Sequence, residues 1–304
     1  MISPSLWLRL RWRAEAAVVR ALFAFLRALG PRRASDLGGL VGRALGPWLP
    51  VSRVARVNLR LAFPDRDEAW REEVVRAMWD NLGRTAAELA CLDTIVSDPA
   101  SVEVAGVAHF DAAARSGGPW ILVSGHFANW EIELPMAARR GVIPGVVYRA
   151  IANPHLDSLI GAIRTRAMGG RAVMLPKGPA GARATLAHLK AGGAVGMLVD
   201  QKMNDGIAAN LFGRPAMTAP AAAHLALRFR CPLLPARAVR IGPARFRLEV
   251  LPPLPLPEAE DRHAAVADLT QRLNDLIEAW ARERPAEWLW VHRRFDKALY
   301  ADGA

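Results

Sequence analysis

An α/β fold, with a largely parallel mixed sheet flanked by helices, is the class this sequence predicts, and three observations lead to it. From residue 100 onward short β-type runs alternate with helical stretches, the pattern of strands joined by crossover helices. The stretches between the runs are rich in Ala and Leu at helical spacing. With 304 residues, 52% of them hydrophobic, the chain is long enough to bury one sizeable core.

The elements follow in order. Residues 6–29, "LWLRLRWRAEAAVVRALFAFLRAL", read as a helix. Spanning a bilayer takes about 20 predominantly apolar residues, and Arg20 and Arg27 interrupt this run. At about 100° per residue, Arg9, Arg13, Arg20 and Arg27 share one stripe, while Val18, Leu22, Phe23, Phe25 and Leu26 fill much of the remaining surface. Such a helix is expected to lie in a membrane interface, with Trp7 and Trp12 at head-group level; the alternative is an amphipathic helix packed on its own domain. Residues 31–95 read as helical, with "PRRASDLGG" and "FPDRDEAW" as turn and cap regions. "SVEVAG", "PWILVS", "GVVY", "AVML", "AVGMLVD", "PLLPARAV" and "RFRLEVL" read as strands, the last two as a hairpin at one end of the sheet. Between them 127–140, 155–168, 179–191 and 216–230 read as helices, and "NDGIAANLFGRPAMT" as an apolar loop. A helix over 261–284 precedes "EWLWVHRRF", expected to be a core strand carrying a structural histidine. The division expected is an N-terminal helix over 1–30 and a single domain over 31–304.

Charge and cysteines narrow the function. Residues 1–60 hold eleven arginines against Glu15 and Asp36, so most of the net +11 sits at this end. No zinc-finger or RNP-type motif accompanies it, which argues against nucleic acid. Cys91 and Cys231 alone make neither a disulfide framework nor a zinc spacing, which points to a reducing compartment. The chain opens without an apolar core and cleavage site of the secretory kind.

The chemistry centres on "SGHFANWE". Ligands of open α/β sheets bind beyond the carboxyl ends of strands, and His126 stands two residues past "WILVS". Glu131, in the first turns of the following helix, is the expected partner of one ring nitrogen, leaving the other free to take a proton from a hydroxyl. On spacing alone a capping or core histidine is the stronger reading. Zinc would need further ligands, and nothing like HExxH is present. Ser124 lacks a GxSxG context and lies inside the strand end.

"GHFANWE" resembles the H-x4-D/E signature of glycerolipid-type acyltransferases, in the form found in the late acyltransferases of lipid A biosynthesis, the lauroyl/myristoyl transferase family. "RVNLRLAFPD", "MWDNLGRTAAE", "YRAIANPHLDSLIGAIR", "VDQKMNDGIAANLFGRPAMT" and "EWLWVHRRF" look like further blocks of that family in the family's order. The resemblance implies an enzyme without metal, cofactor or acyl-enzyme. It would move a fatty acyl group from acyl carrier protein, or coenzyme A, to a hydroxyl of a glycolipid at the cytoplasmic face of the bacterial inner membrane. It makes His126 the base and Glu131 its orienting acid. Arg164 and Arg149 become candidates for phosphate binding or oxyanion stabilisation, since a guanidinium stays charged and offers several donors. Asp200 would fix an active-site arginine, and Arg214 would meet phosphate. Two rivals stand beside this reading: a mannosylated phosphoinositide or lysophospholipid as acceptor, or a non-catalytic peripheral membrane protein that needs the arginine stripe but not His126.

Overall fold

The computed structural model describes residues 5–258 and 261–301; the first four residues of the expected N-terminal segment lie outside that range. Five helices come first: α1 (Leu6–Leu29), α2 (Pro31–Leu45), α3 (Ser52–Ala62), α4 (Glu68–Glu88) and α5 (Leu92–Ser97). Asp67, within "FPDRDEAW", caps α4 by accepting from the Trp70 amide at 2.8 Å. "PRRASDLGG" is not a turn: it is the first part of α2, entered through Pro31 at its first position. Its glycines belong there because two helices touch through them. A Cβ on Gly38 would stand 2.3 Å from the Gly83 carbonyl oxygen of α4, and one on Gly42 would stand 2.1 Å from that of Trp79.

The α/β body follows as β1 (Val102–Ala105), α6 (Val107–Arg115), β2 (Trp120–Ser124), α7 (Glu133–Arg139), β3 (Pro144–Tyr148), α8 (Pro154–Ala167), β4 (Val173–Pro176), α9 (Pro179–Lys190), β5 (Ala194–Leu198), β6 (Lys202–Leu211), β7 (Arg214–Thr218), α10 (Ala221–Phe229), β8 (Leu233–Gly242), β9 (Arg245–Val250) and α11 (Arg262–Glu283). Seven strands form one sheet in the order β1-β9-β8-β2-β5-β3-β4. All its pairings are parallel except the β8–β9 hairpin. That hairpin is one strand in from the edge, because β1 returns to pair outside β9.

β2 lies between β8 and β5 and is buried along its whole length. Its side chains alternate between two apolar layers. Ile121 and Val123 join residues of α3, α4, α10 and α11, whereas Trp120 and Leu122 join residues of α5, α6, α7 and α8.

Two regions depart from the sequence reading. Residues 204–218, expected as a loop and, from 216, the start of a helix, belong to the separate hairpin β6–β7, and α10 begins only at Ala221. "EWLWVHRRF" is not a strand; it makes one isolated bridge, Trp288 with Phe127, and otherwise runs irregularly.

α1 is held to the body. The Arg27 guanidinium donates to both Asp93 carboxylate oxygens at 2.6 and 2.8 Å. The Asn153 amide donates to the Trp12 carbonyl and to Glu15, both at 3.0 Å. Ala16 and Leu26 are buried, while Leu6, Trp7, Leu10, Val18, Leu22 and Phe25 remain exposed. Among the described residues no helix is long and apolar enough to cross a membrane.

Candidate active site

The centre of the sheet sets the site. Ser124 and Leu198 are register partners at the carboxyl ends of β2 and β5. His126 and Asp200 therefore leave adjacent parallel strands at the same height, two residues beyond that pair. Gly125 makes the exit possible, since a Cβ there would sit 2.8 Å from both Ile277 and the Phe127 ring. Residues 125–129 are not the start of a helix, as expected from the sequence; helical structure begins with a 3-10 turn at Trp130–Ile132.

Other elements fix this irregular stretch. Ala128, at φ 43°, stands in the left-handed region, and its backbone is bonded on both sides. Its N–H donates to the Glu287 carbonyl at 3.0 Å, and its carbonyl accepts from Thr85 Oγ1 at 2.8 Å. The Leu289 N–H donates to the His126 carbonyl at 3.1 Å, and the Phe127 and Trp288 rings stack with centroids 6.2 Å apart. The segment expected to be a core strand is thus a clamp on the histidine loop.

Asp200 holds His126 at two points. Its Oδ1 lies 2.7 Å from the ring Nδ1, and its Oδ2 accepts the His126 main-chain N–H at 2.8 Å. Trp288 Nε1 donates to the same Oδ2 at 2.9 Å. Burial opposes the charge on this carboxylate, but the His126 ring, the hydrogen bonds and Trp288 more than offset it and keep it well below the ordinary carboxylate range. An ionised carboxylate only accepts, so Nδ1 carries the proton and the Nε2 lone pair is free. Nε2 is bonded to none of the described residues, and His126 lines a cavity of about 260 Å³.

This corrects the expected pairing. Glu131 does not touch the imidazole; it takes Arg164 in a two-pronged ion pair, Nε to Oε2 at 2.7 Å and Nη2 to Oε1 at 2.5 Å. Five positions of chain carry Glu131 past the ring, toward α8. Asp200, in turn, fixes the histidine and not an arginine. Burial disfavours the Arg164 charge, yet Glu131 holds its guanidinium above the usual value. Arg149 lines the same cavity from the end of β3. Arg214 does not: it lines a separate cavity with Phe63, Arg66, Phe212 and Arg282.

Three groups at the site escaped the sequence reading. Lys177, one residue past β4, lines the cavity, and neither it nor Arg149 has a carboxylate partner among the described residues; the strand-end rule that found Arg149 finds Lys177 too. The His292 ring centroid lies 5.7 Å from that of His126, and its Nε2 lies 3.2 Å from Gln201 Nε2. Burial and the neighbouring His126 hold it neutral-leaning, below the usual imidazole value. Glu133 is buried, and its Oε1 accepts from Ser124 Oγ at 2.7 Å. Burial pushes this carboxyl well above its ordinary value, and Ser124, committed to it and 1% exposed, is no nucleophile.

A histidine oriented by a buried carboxylate, its outer nitrogen unbonded, beside a cavity with both apolar and cationic lining, equips the fold to activate a hydroxyl for acyl transfer. The chain belongs to the bacterial lipid A biosynthesis acyltransferase family, whose model matches residues 7–297. It is therefore an acyltransferase. It is 25% identical over 249 residues to a lipid A biosynthesis myristoyltransferase of Escherichia coli, covering 79% of this chain and 73% of that one. It is 24% identical, over the same shares, to lipid A biosynthesis acyltransferase 1 of Shigella flexneri. The crystal structure of the 1-acyl-sn-glycerophosphate acyltransferase of Thermotoga maritima overlaps 81% of this chain and 99% of its own, at TM-score 0.38 and 13% identity, a likeness too distant to carry an inference.

Proposed function

We propose that this chain transfers a fatty acyl group from an acyl carrier protein thioester to a hydroxyl of a lipid A precursor, at the cytoplasmic face of the inner membrane. The observation that carries the chemistry is the His126–Asp200 pair, with Nε2 unbonded and His126 lining the cavity; the family and the two relatives support the acceptor. His126 Nε2 takes the hydroxyl proton as the oxygen attacks the thioester carbonyl. The negative charge that develops on the carbonyl oxygen meets Lys177, Arg149 or Arg164 at the cavity. Collapse of the tetrahedral intermediate breaks the carbon–sulfur bond, and the leaving thiolate takes the proton from the imidazolium. Asp200 stays ionised throughout and stabilises that imidazolium. Glu131 acts one step away, by aiming Arg164.

Attachment to the membrane belongs to the same proposal. Besides the exposed apolar side chains of α1, Leu40, Val41 and Leu45 of α2 and Trp48 just after it are exposed. Arg9, Arg13 and Arg20 flank them without carboxylate partners among the described residues, whereas Arg27 leaves the stripe for Asp93. An apolar face edged by cations suits an anionic lipid surface.

The test offers a tetra-acylated lipid A precursor and a mixture of acyl carrier protein thioesters to the purified chain and to His126→Ala, with products read by mass spectrometry. A gain of one acyl chain, lost in the variant, is expected. No gain from folded wild type overturns the acceptor or donor, and an equal gain from the variant removes His126 as base.

A further inference from the structure

The His126 cavity has a second, smaller compartment behind it. Beyond one wall of the first cavity lies a space of about 10 Å³, room for one water at most, lined by Val104, Phe110, Met136, Leu248 and Val250, with Arg140 at one side. Two side chains, Leu122 of β2 and Glu133 of α7, line both spaces and so form the wall between them.

Glu133 is the unexpected member of that wall. Around it the first cavity is bounded by Leu134, Val146, Met168 and Met197, and Glu133 is itself 2% exposed. Its ion-pairing capacity is unused: it accepts from the Ser124 hydroxyl and from the Ala238 backbone N–H, and no salt bridge to it exists among the described residues. A carboxyl removed from water without a cation is costly, and an aliphatic residue of the same length would close the wall without that cost. A carboxyl is, however, a better stop for a hydrocarbon than a methyl group. It cannot be brushed aside by an alkyl terminus without losing its hydroxyl partner, and it denies the chain an apolar surface beyond.

We infer that Glu133, held by Ser124, is the stop that sets the length of acyl chain the enzyme accepts, and that the space behind it is closed to the substrate. The inference rests on the proposed acyl transfer and on the chain lying in the His126 cavity.

The experiment competes carrier-protein thioesters of graded length against one another and reads the product distribution for wild type, Glu133→Ala, Glu133→Gln and Val146→Phe. Glu133→Ala joins the two spaces and moves the preferred chain longer by about two methylenes, the room a truncated side chain leaves. Glu133→Gln keeps the wall and the wild-type preference. Val146→Phe narrows the first cavity and moves the preference shorter. An unmoved preference in Glu133→Ala, with Val146→Phe shifted, overturns the stop and leaves the acyl cavity standing. No shift in either removes the chain from this cavity altogether, and an inactive wild type fails at the earlier reading. Leu122→Ala opens the same wall from the strand side, so a Glu133→Ala chain that does not fold still leaves the question decidable.

Discussion

Replacing Asp200 by asparagine keeps the side chain's shape and removes the charge that fixes the His126 tautomer and steadies the imidazolium. The equivalent loss in a serine protease triad costs roughly 10⁴ in kcat, and a fall of about 10³ to 10⁴ is expected here, with KM little changed. Glu131→Gln, by contrast, loosens only the Arg164 guanidinium, and a loss of roughly 10- to 100-fold is expected, matching one misaimed charge–charge contact. Steady-state kinetics of the two variants side by side decide the matter: a Glu131→Gln loss as deep as that of Asp200→Asn would return the orienting role to Glu131. The strand-end rule found His126, Arg149 and Asp200 in the sequence because each follows a recognisable β-type run. Their partners were hidden, since Asp200 reaches His126 only through the β2–β5 register, which pairs Ser124 with Leu198. Spacing along the chain offers Glu131 instead, and a buried pair 74 positions apart leaves no local trace.

At the scale of elements, the irregular segment after α11 holds the reacting loop by backbone bonds to His126 and Ala128 and by Trp288. Trp288→Phe keeps the aromatic stack but removes the N–H that Asp200 accepts. A hydrogen bond to a charged group contributes roughly 1.5–3 kcal/mol, so the melting temperature is expected to fall by a few degrees and kcat/KM about tenfold or more, as the less firmly held Asp200 orients His126 less well. Trp288→Ala also removes the stacking on Phe127 and Phe212, and truncation of a buried aromatic costs about 3–5 kcal/mol, readable in thermal melts. Most strands and helices were legible because their periodicity is strong. The β6–β7 hairpin was not, for two physical reasons. Asn204, Asp205 and Gly206 interrupt β6 at the irregularity between Lys202 and Ile207. Its turn places Phe212 and Gly213 at φ 53° and 72°, a pair of left-handed residues that usually reads Asn-Gly. Phe212 takes the first place because its ring packs on Trp288 and Trp290, a tertiary demand that overrides turn chemistry. The clamp was misread for the converse reason: its aromatic richness looks like a core strand, but its backbone is spent on the histidine loop.

For the whole molecule, stability and attachment depend on charge in opposite ways. Burial raises the Glu133 carboxyl well above its ordinary value of 4.5 in the fold, while the unfolded chain ionises it near that value. Its contribution to stability is therefore fully present below that value and is lost as pH rises toward the folded value. Glu133→Gln has no such titration, so its melting temperature is expected to match wild type near pH 4 and to exceed it increasingly toward neutrality; a constant difference across that range would mean the group is charged in the fold. Attachment needs charge left on the surface. Arg9, Arg13 and Arg20 lie on the exposed side of a helix whose inner face is secured by Asn153 and Asp93, so the stripe can be altered without unseating α1. Each basic residue near an anionic bilayer contributes about 1 kcal/mol. The Arg9→Gln/Arg13→Gln/Arg20→Gln variant should thus bind phosphatidylglycerol-containing vesicles roughly 100-fold more weakly at low salt. The deficit should shrink as salt screens the wild type. Trp7→Ala with Phe25→Ala removes apolar contact instead, and its deficit should persist at high salt. Co-sedimentation across a salt series separates the two. Wild-type binding by the arginine variant would mean that the cations of α1 serve another acidic partner, of which the carrier protein is the first to try.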